Sequence, residues 1–208
     1  MTSILKADTI QDSSGNNIIN ENANTITIGA SGDTITIPAG ATITNSGTAT
    51  GFGGITVADV WRYTASTAGP SGDITSNLER ADDASSGILG SGMTESSGIF
   101  SFPSTGIYML SMTIGINFAN EADNNANVVA NVTINNSAYD AVAFACAGSN
   151  STSNFSRFTV PAQALIDVTD TSNVKVKFTA ASFDSNSYLE GSTTQNDTSF
   201  MFIRLGDT

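Results

Sequence analysis

The sequence predicts an all-β protein, with short β strands forming a trimeric stalk followed by an antiparallel jelly-roll (β-sandwich) head. Three observations lead there. Charged residues make up only 12% of the chain. Its polarity comes instead from Ser, Thr, Asn and Gly, which favour strands, turns and loops over helix interiors. In the run GIYMLSMTIGINF a large apolar residue stands at every second position from Tyr108 to Phe118. Between such runs lie Gly-, Asn- and Asp-rich stretches of the kind that make tight turns.

Residues 1–54 have a grain of their own. In NTITIGASGDTITIPAGATIT, Ile26 and Ile28, then Ile35 and Ile37, then Ile43 alternate with threonines, and Gly, Asp or Pro closes each unit. Period-two alternation reads as strands with one apolar edge. Burying these few isoleucines is worth about 5 kcal/mol, at ~1.5–3 kcal/mol per side chain with incomplete burial. Ordering about fifty residues costs many times that. The segment therefore reads either as a flexible polar linker or as a stalk that shares its core with other copies. A threefold winding puts Ile26, Ile28, Ile35 and Ile37 on a common axis and covers strand edges that one chain leaves bare.

Residues 55–208 carry longer strands. Val60, Arg62 and Thr64 alternate with Trp61 and Tyr63. Tyr108, Leu110, Met112, Ile114, Ile116 and Phe118 share one face, which marks a long strand lying on a core. Val128, Ala130, Val132 and Ile134 repeat the pattern. Val174, Val176 and Phe178 set Lys175 and Lys177 on a solvent face. The closing run SFMFIRL is apolar on both sides, which predicts a strand buried on both faces, between a core and a subunit contact. Polar turns are expected around Asp123 and from Asp184 to Asp197.

Net charge is −12 and the isoelectric point is near 4.1. Seven scattered basic residues build no patch for phosphates, so no nucleic-acid partner is expected. No stretch approaches a membrane span or a signal-peptide core, which predicts folding in a cytoplasm and no membrane insertion. The chain has no histidine, so Ser-His-Asp and Cys-His constellations are impossible. Cys146 has no second thiol and reads as a small buried hydrophobe.

Paired carboxylates are the only enzymatic route left, as in glycoside hydrolysis. The candidates are Asp82/Asp83, Asp123, Asp167/Asp170, Asp184 and Glu190. Neighbours such as Asp82 and Asp83 diverge if extended, and most of the acids fall in turns. The chain is therefore read as non-enzymatic. No cofactor is expected. The loop from Glu121 to Asn125 offers oxygen ligands of the kind calcium takes, but without EF-hand spacing, and a solvated turn is the simpler reading. Surface binding has a more natural home in Asp123, Asn125, Asp184 and Tyr188, where polar side chains surround an aromatic ring suited to a sugar or a protein.

The segment GIFSFPSTGIYMLSMTI resembles the jelly-roll head of the complement first-component q and tumour-necrosis-factor superfamily. Phe100, Phe102, Pro103, Gly106, Tyr108 and Leu110 stand at the matching places, Leu110 where an aromatic is usual. NDTSFMFIRLGD resembles the closing strand of that family. The resemblance covers residues 57–206. It implies a ten-strand jelly roll packed as a homotrimer through aromatic inner faces, with Tyr108, Phe200 and Phe202 at or near the interface; the simpler reading makes all three ordinary core aromatics. It also implies that calcium is held near the trimer axis in some relatives.

Separately, SILKADTIQDSSGN followed by Ile/Thr/Gly repeats is similar to the leading segment of fibre proteins from marine tailed phages. That resemblance implies a virion tail fibre or spike subunit. Its N-terminus would attach to other virion proteins, and its head would contact a host glycan or protein. A capsid head fibre or decoration protein, and a free lectin-like or necrosis-factor-like binding module, are the alternatives.

Overall fold

The computed structural model describes residues 9–15, 17–22, 25–29, 31–44 and 54–208, and no helix occurs among them. The chain divides into two units, Met1–Thr50 and Gly51–Thr208.

In the first unit, β1 (Thr9–Gln11), β2 (Asn17–Asn22) and β3 (Thr25–Ile28) form an antiparallel meander in the order β1-β2-β3. The predicted strand at Ile26 and Ile28 is present. Ile35, Ile37 and Ile43 lie outside any strand, in a stretch broken by the positive φ of Gly32 and Gly40 and by Pro38. Every described isoleucine here is exposed, from 36% at Ile19 to 67% at Ile26. Two-residue apolar units cannot close a core within one copy of so short a sheet.

The second unit carries the head. Its strands are β4 (Ala58–Tyr63), β5 (Thr67–Ala68), β6 (Gly72–Asp73), β7 (Leu78–Arg80), β8 (Thr94–Ser96), β9 (Ile99–Ser101), β10 (Gly106–Ala119), β11 (Asp123–Thr133), β12 (Asp140–Ser149), β13 (Phe155–Val168), β14 (Lys175–Ala181), β15 (Ser187–Leu189) and β16 (Ser199–Gly206). They form two antiparallel sheets. In the first, β10 pairs with β13 along one edge. Along its other edge it pairs with β16 and then β15, with β4 and β7 beyond β16 and β5 beyond β15. The second runs β12-β11-β14-β9-β8, with β6 also on β14. This is the expected jelly roll.

Strict alternation decides the core. Tyr108, Leu110, Met112, Ile114, Ile116 and Phe118 have no exposed surface, and they meet Val128, Ala130, Val176, Phe178 and Ala180 of the facing sheet. Phe178 stacks on Phe200 at 3.7 Å. The buried Tyr108 hydroxyl pairs with Ser104 Oγ at 3.0 Å, which satisfies it.

These rings correct one expectation. Tyr108, Phe200 and Phe202 are fully buried within a single chain, so no surface remains on them for a subunit contact. They are core residues, because the two sheets of one chain already meet on them. The closing strand is likewise buried on its inner face only, with Met201 and Ile203 partly exposed and Leu205 49% exposed.

Two boundaries also differ from expectation. The polar run DNNAN belongs to β11, paired to β12 through an irregular register, and the turn predicted between Asp184 and Asp197 contains β15. The 14-residue β13, with Pro161 within it, was not anticipated. An edge strand tolerates that proline, because one side of its backbone makes no ladder bonds.

Candidate association and contact surfaces

The four predicted contact residues lie at the end of the head where β10 finishes and β11 begins. The structure brings three of them together and gives one a different role. Asp123 is only 4% exposed, so it is not a surface-binding group. Its Oδ1 accepts the Asn125 N–H at 3.0 Å and its Oδ2 accepts the Asp184 N–H at 3.0 Å. Burial pushes this carboxyl up, but the N–H donors of Asn125, Asp184 and Ala126 outweigh it and hold it below its usual value. Asp123 therefore ties the β10–β11 loop to the loop before β15, and Asn186 Nδ2 donating to Glu121 Oε2 adds a second tie.

Asn125 and Asp184 are exposed above this knot. Tyr188 stands apart on β15, opposite Asn117 and Ala68, and is half-buried. Cys146 is half-buried on the outer side of β12 rather than in the core, with Sγ 3.2 Å from Asn125 Oδ1. Burial raises its thiol pKa, and the Asp123 charge adds to the rise. Among the described residues, no group of three or more Cys, Asp or Glu side chains is placed to hold a metal ion.

Replacing Asp123 by Asn removes one acceptor oxygen and leaves a backbone N–H of this knot unpaired. The expected cost is about 1–3 kcal/mol. Because the folded pKa is depressed, the wild-type advantage is complete above the unfolded carboxylate value of about 3.9. It is lost as pH falls toward the lower folded value. Urea melts of both proteins at pH 7 and in acid check this, and the gap between them should close only in acid.

A second surface was not legible as a site. On the outer face of the first sheet, registered pairs build an apolar row in which Leu165 lies beside Met109, Met109 beside Ile203, and Ile203 beside Ala58. The next row is Gln163, Ser111, Met201 and Val60. Leu165 is 68% exposed. Ser and Gln are the only polar side chains in these two rows, an unusual composition for a face turned to water.

The third surface is the side of the sandwich closed by edge strands β12 and β13. The inward positions are small on β12, at Ala143, Ala145 and Ala147, and in the middle of β13, at Ala162 and Ala164, with Val160, Ile166 and Val168 flanking them. Outside, Val142 and Phe144 on β12 and Phe155 and Arg157 on β13 are exposed, while Phe158 turns inward and packs edge-on against Phe118 at 5.7 Å. Exposed aromatics together with an arginine are the composition of contact centres. Arg157 Nη2 meets the buried Glu190 Oε2 at 2.7 Å, which fixes one side of this surface.

The carboxylate pair at Asp82 and Asp83 does converge, though on a cation. Arg62, whose side chain has no exposed surface, places Nη2 2.6 Å from Asp82 Oδ1, Nη1 2.6 Å from Asp83 Oδ2 and Nε 2.7 Å from Glu79 Oε1. The two aspartates do not diverge as extended neighbours do, because the chain leaves β conformation after Arg80. Burial opposes the Arg62 charge, yet Glu79 and Asp83 raise its pKa above the ordinary value.

No protein-family model matches the sequence. No curated protein is similar to it at a significant level. Solved structures do share its fold. Murine APRIL superposes with a TM-score of 0.51 at 10% identity, over 72% of this chain and 98% of that one. Eiger TNF from S. frugiperda superposes with a TM-score of 0.51 at 14% identity, over 73% of this chain and 94% of that one. At these identities the likeness establishes a jelly roll of the tumour-necrosis-factor type.

Proposed function

We propose that this chain is a non-enzymatic binding module that works as a homotrimer, its heads held together by the apolar surfaces of the first sheet and of the β12/β13 edge. The observation that carries this reading is the row Leu165–Met109–Ile203. It lies on the outer face of a sheet whose inner face already forms a complete core. A contact between the row of one copy and the edge of the next is head-to-tail, the kind that forms a ring when its rotation closes. The resemblance to trimeric jelly rolls supports three copies. Three identical contact ends held at fixed spacing gain avidity without strong single sites. The ends opposite the entry of residue 54, around Asn125, Asp184 and Tyr188, then face a partner protein or glycan.

Sedimentation of the full chain across a wide concentration range tests the reading. A threefold mass that persists on dilution supports it, and a compact monomer at every concentration rejects it. Removing residues 1–54 is expected to leave the head folded on its own core while weakening assembly. Unchanged resistance of the trimer to dilution after that deletion would assign association to the head alone.

The more specific reading is a phage tail-fibre or spike subunit carried on the virion, attached through its N-terminus to other virion proteins. Two things support it: the resemblance of residues 3–16 to phage fibres, and the exposed isoleucines of the first unit, which need a partner surface. A capsid head fibre shares both supports. The test is the identity of neighbouring reading frames, followed by labelling of purified particles with an antibody to the head. Particles that carry no label would leave the free binding module as the function.

A further inference from the structure

The segment joining β7 to β8 covers the outer edge of β4. Ala81 N–H donates to Val60 O, and Ala58 and Leu89 exchange both backbone hydrogen bonds. Met93 anchors its far end in the core; before that residue, what holds it is these backbone bonds and ion pairs. Residues 84–91 are exposed, including Ile88 and Leu89 at 44% and 47%, so no apolar side chain of the stretch is buried. At its start, Asp82 and Asp83 grip the buried Arg62 together with Glu79.

At its end, the buried Asp59 accepts the Met93 N–H at 2.7 Å and the Trp61 indole N–H at 2.9 Å, and it pairs with Arg80 Nε at 2.8 Å. Arg80 also lies 4.8 Å over the Trp61 ring. Close-fitting glycines shape the return. Gly90 has a φ of 71°, and a Cβ there would stand 2.2 Å from Thr56 O.

We propose that residues 81–92 are an acid-released strap over the edge of β4. Arginine keeps its charge at any accessible pH. When Glu79, Asp82 and Asp83 take up protons, the buried Arg62 cation loses its counter-charges and has no water to replace them. Across from it β16 offers Ser199, which carries no charge. On the other side of β4, protonation of Asp59 likewise frees Arg80 and the Met93 amide. Arg62 regains water only when the strap leaves. Its departure bares the backbone of Ala58 and Val60, an unpaired sheet edge ready to accept a strand from another chain.

Hydrogen–deuterium exchange on the full chain tests this, with rates corrected for the intrinsic effect of pH. Moving from pH 7 into acid, the amides of Ala58, Ala81 and Leu89 are expected to lose protection about tenfold or more. The amides of β10 stay protected. Asp82→Asn with Asp83→Asn imitates protonation and is expected to produce the same local loss at pH 7. Strap amides that keep their protection in acid and in the double variant overturn the proposal. So does a loss shared equally with β10, since that is global unfolding. Arg62→Met, where it folds, is expected to remove the acid response at Ala81, beside the Arg62 cluster; an Ala81 response of unchanged size without that cation also counts against the strap.

Discussion

Replacing Phe100 by alanine is expected to cost the head about 3–5 kcal/mol, the range for deleting a fully buried phenylalanine. Phe100 has no exposed surface, and its ring sits within 6.4 Å, centroid to centroid, of Trp61, Phe178, Phe200 and Phe202. It projects from the three-residue strand β9 of one sheet toward rings that come mostly from the other. Its neighbours lie on long, fully paired strands that cannot follow a shrinking side chain, so a cavity remains and each ring loses dispersion contacts.

For a domain of this size the midpoint of thermal unfolding should fall by roughly 10 °C, at ~2–4 °C per kcal/mol. Near-UV circular dichroism at fixed protein concentration measures it, because an oligomer's midpoint depends on concentration. Phe144→Ala is the control. That ring is 56% exposed on an edge strand, and its removal from the single head is expected to change stability by about 0.5 kcal/mol or less. A Phe100→Ala head as stable as the Phe144→Ala head would mean that the ring cluster does not carry the core.

Leu165→Glu is expected to separate the subunits while leaving each head intact. Leu165 is 68% exposed on the single head, beside Met109, so a carboxylate there meets only water in the monomer. In the assembled trimer the same carboxylate lies against apolar side chains with no cation in the row, where an unpaired charge costs several kcal/mol. The association constant should fall at least about 100-fold, equal to about 2.7 kcal/mol. Sedimentation velocity over a dilution series reads the mass, and circular dichroism confirms the fold. A trimer that holds together unchanged would remove this face from the association surface. Leu165→Ala should show a smaller effect of the same sign.

Both predictions depend on which face of a strand a residue occupies, and the sequence was informative on that for one face only. On β10, period-two alternation identified all six core residues. It marked Met201 and Ile203 on β16 as a second apolar face, which the single head leaves partly exposed. On β13 the alternation of Phe158, Val160, Ala162, Ala164 and Ile166 is present in the chain but was not read as a strand. Only the sheet order makes β13 an edge, where proline is tolerated. The contact candidates fared similarly. Asn125 and Asp184 are exposed as loop residues should be, whereas Asp123 turned inward, because a carboxylate able to accept several N–H groups is worth more as a knot between two loops than in water.

By itself the sequence determined the all-β class, the long central strand and the absence of histidine chemistry. These follow from local properties: residue type, period-two alternation and turn-forming composition act over a few residues and are written directly in the chain. Only the tertiary structure decided what the aromatics and the acids do. Tyr108, Phe200 and Phe202 are core because the second sheet reaches them first. Glu79, Asp82 and Asp83 are clasps because Arg62, some twenty residues earlier, is folded beneath them. Burial and charge pairing depend on what arrives from distant parts of the chain, and no local pattern records that.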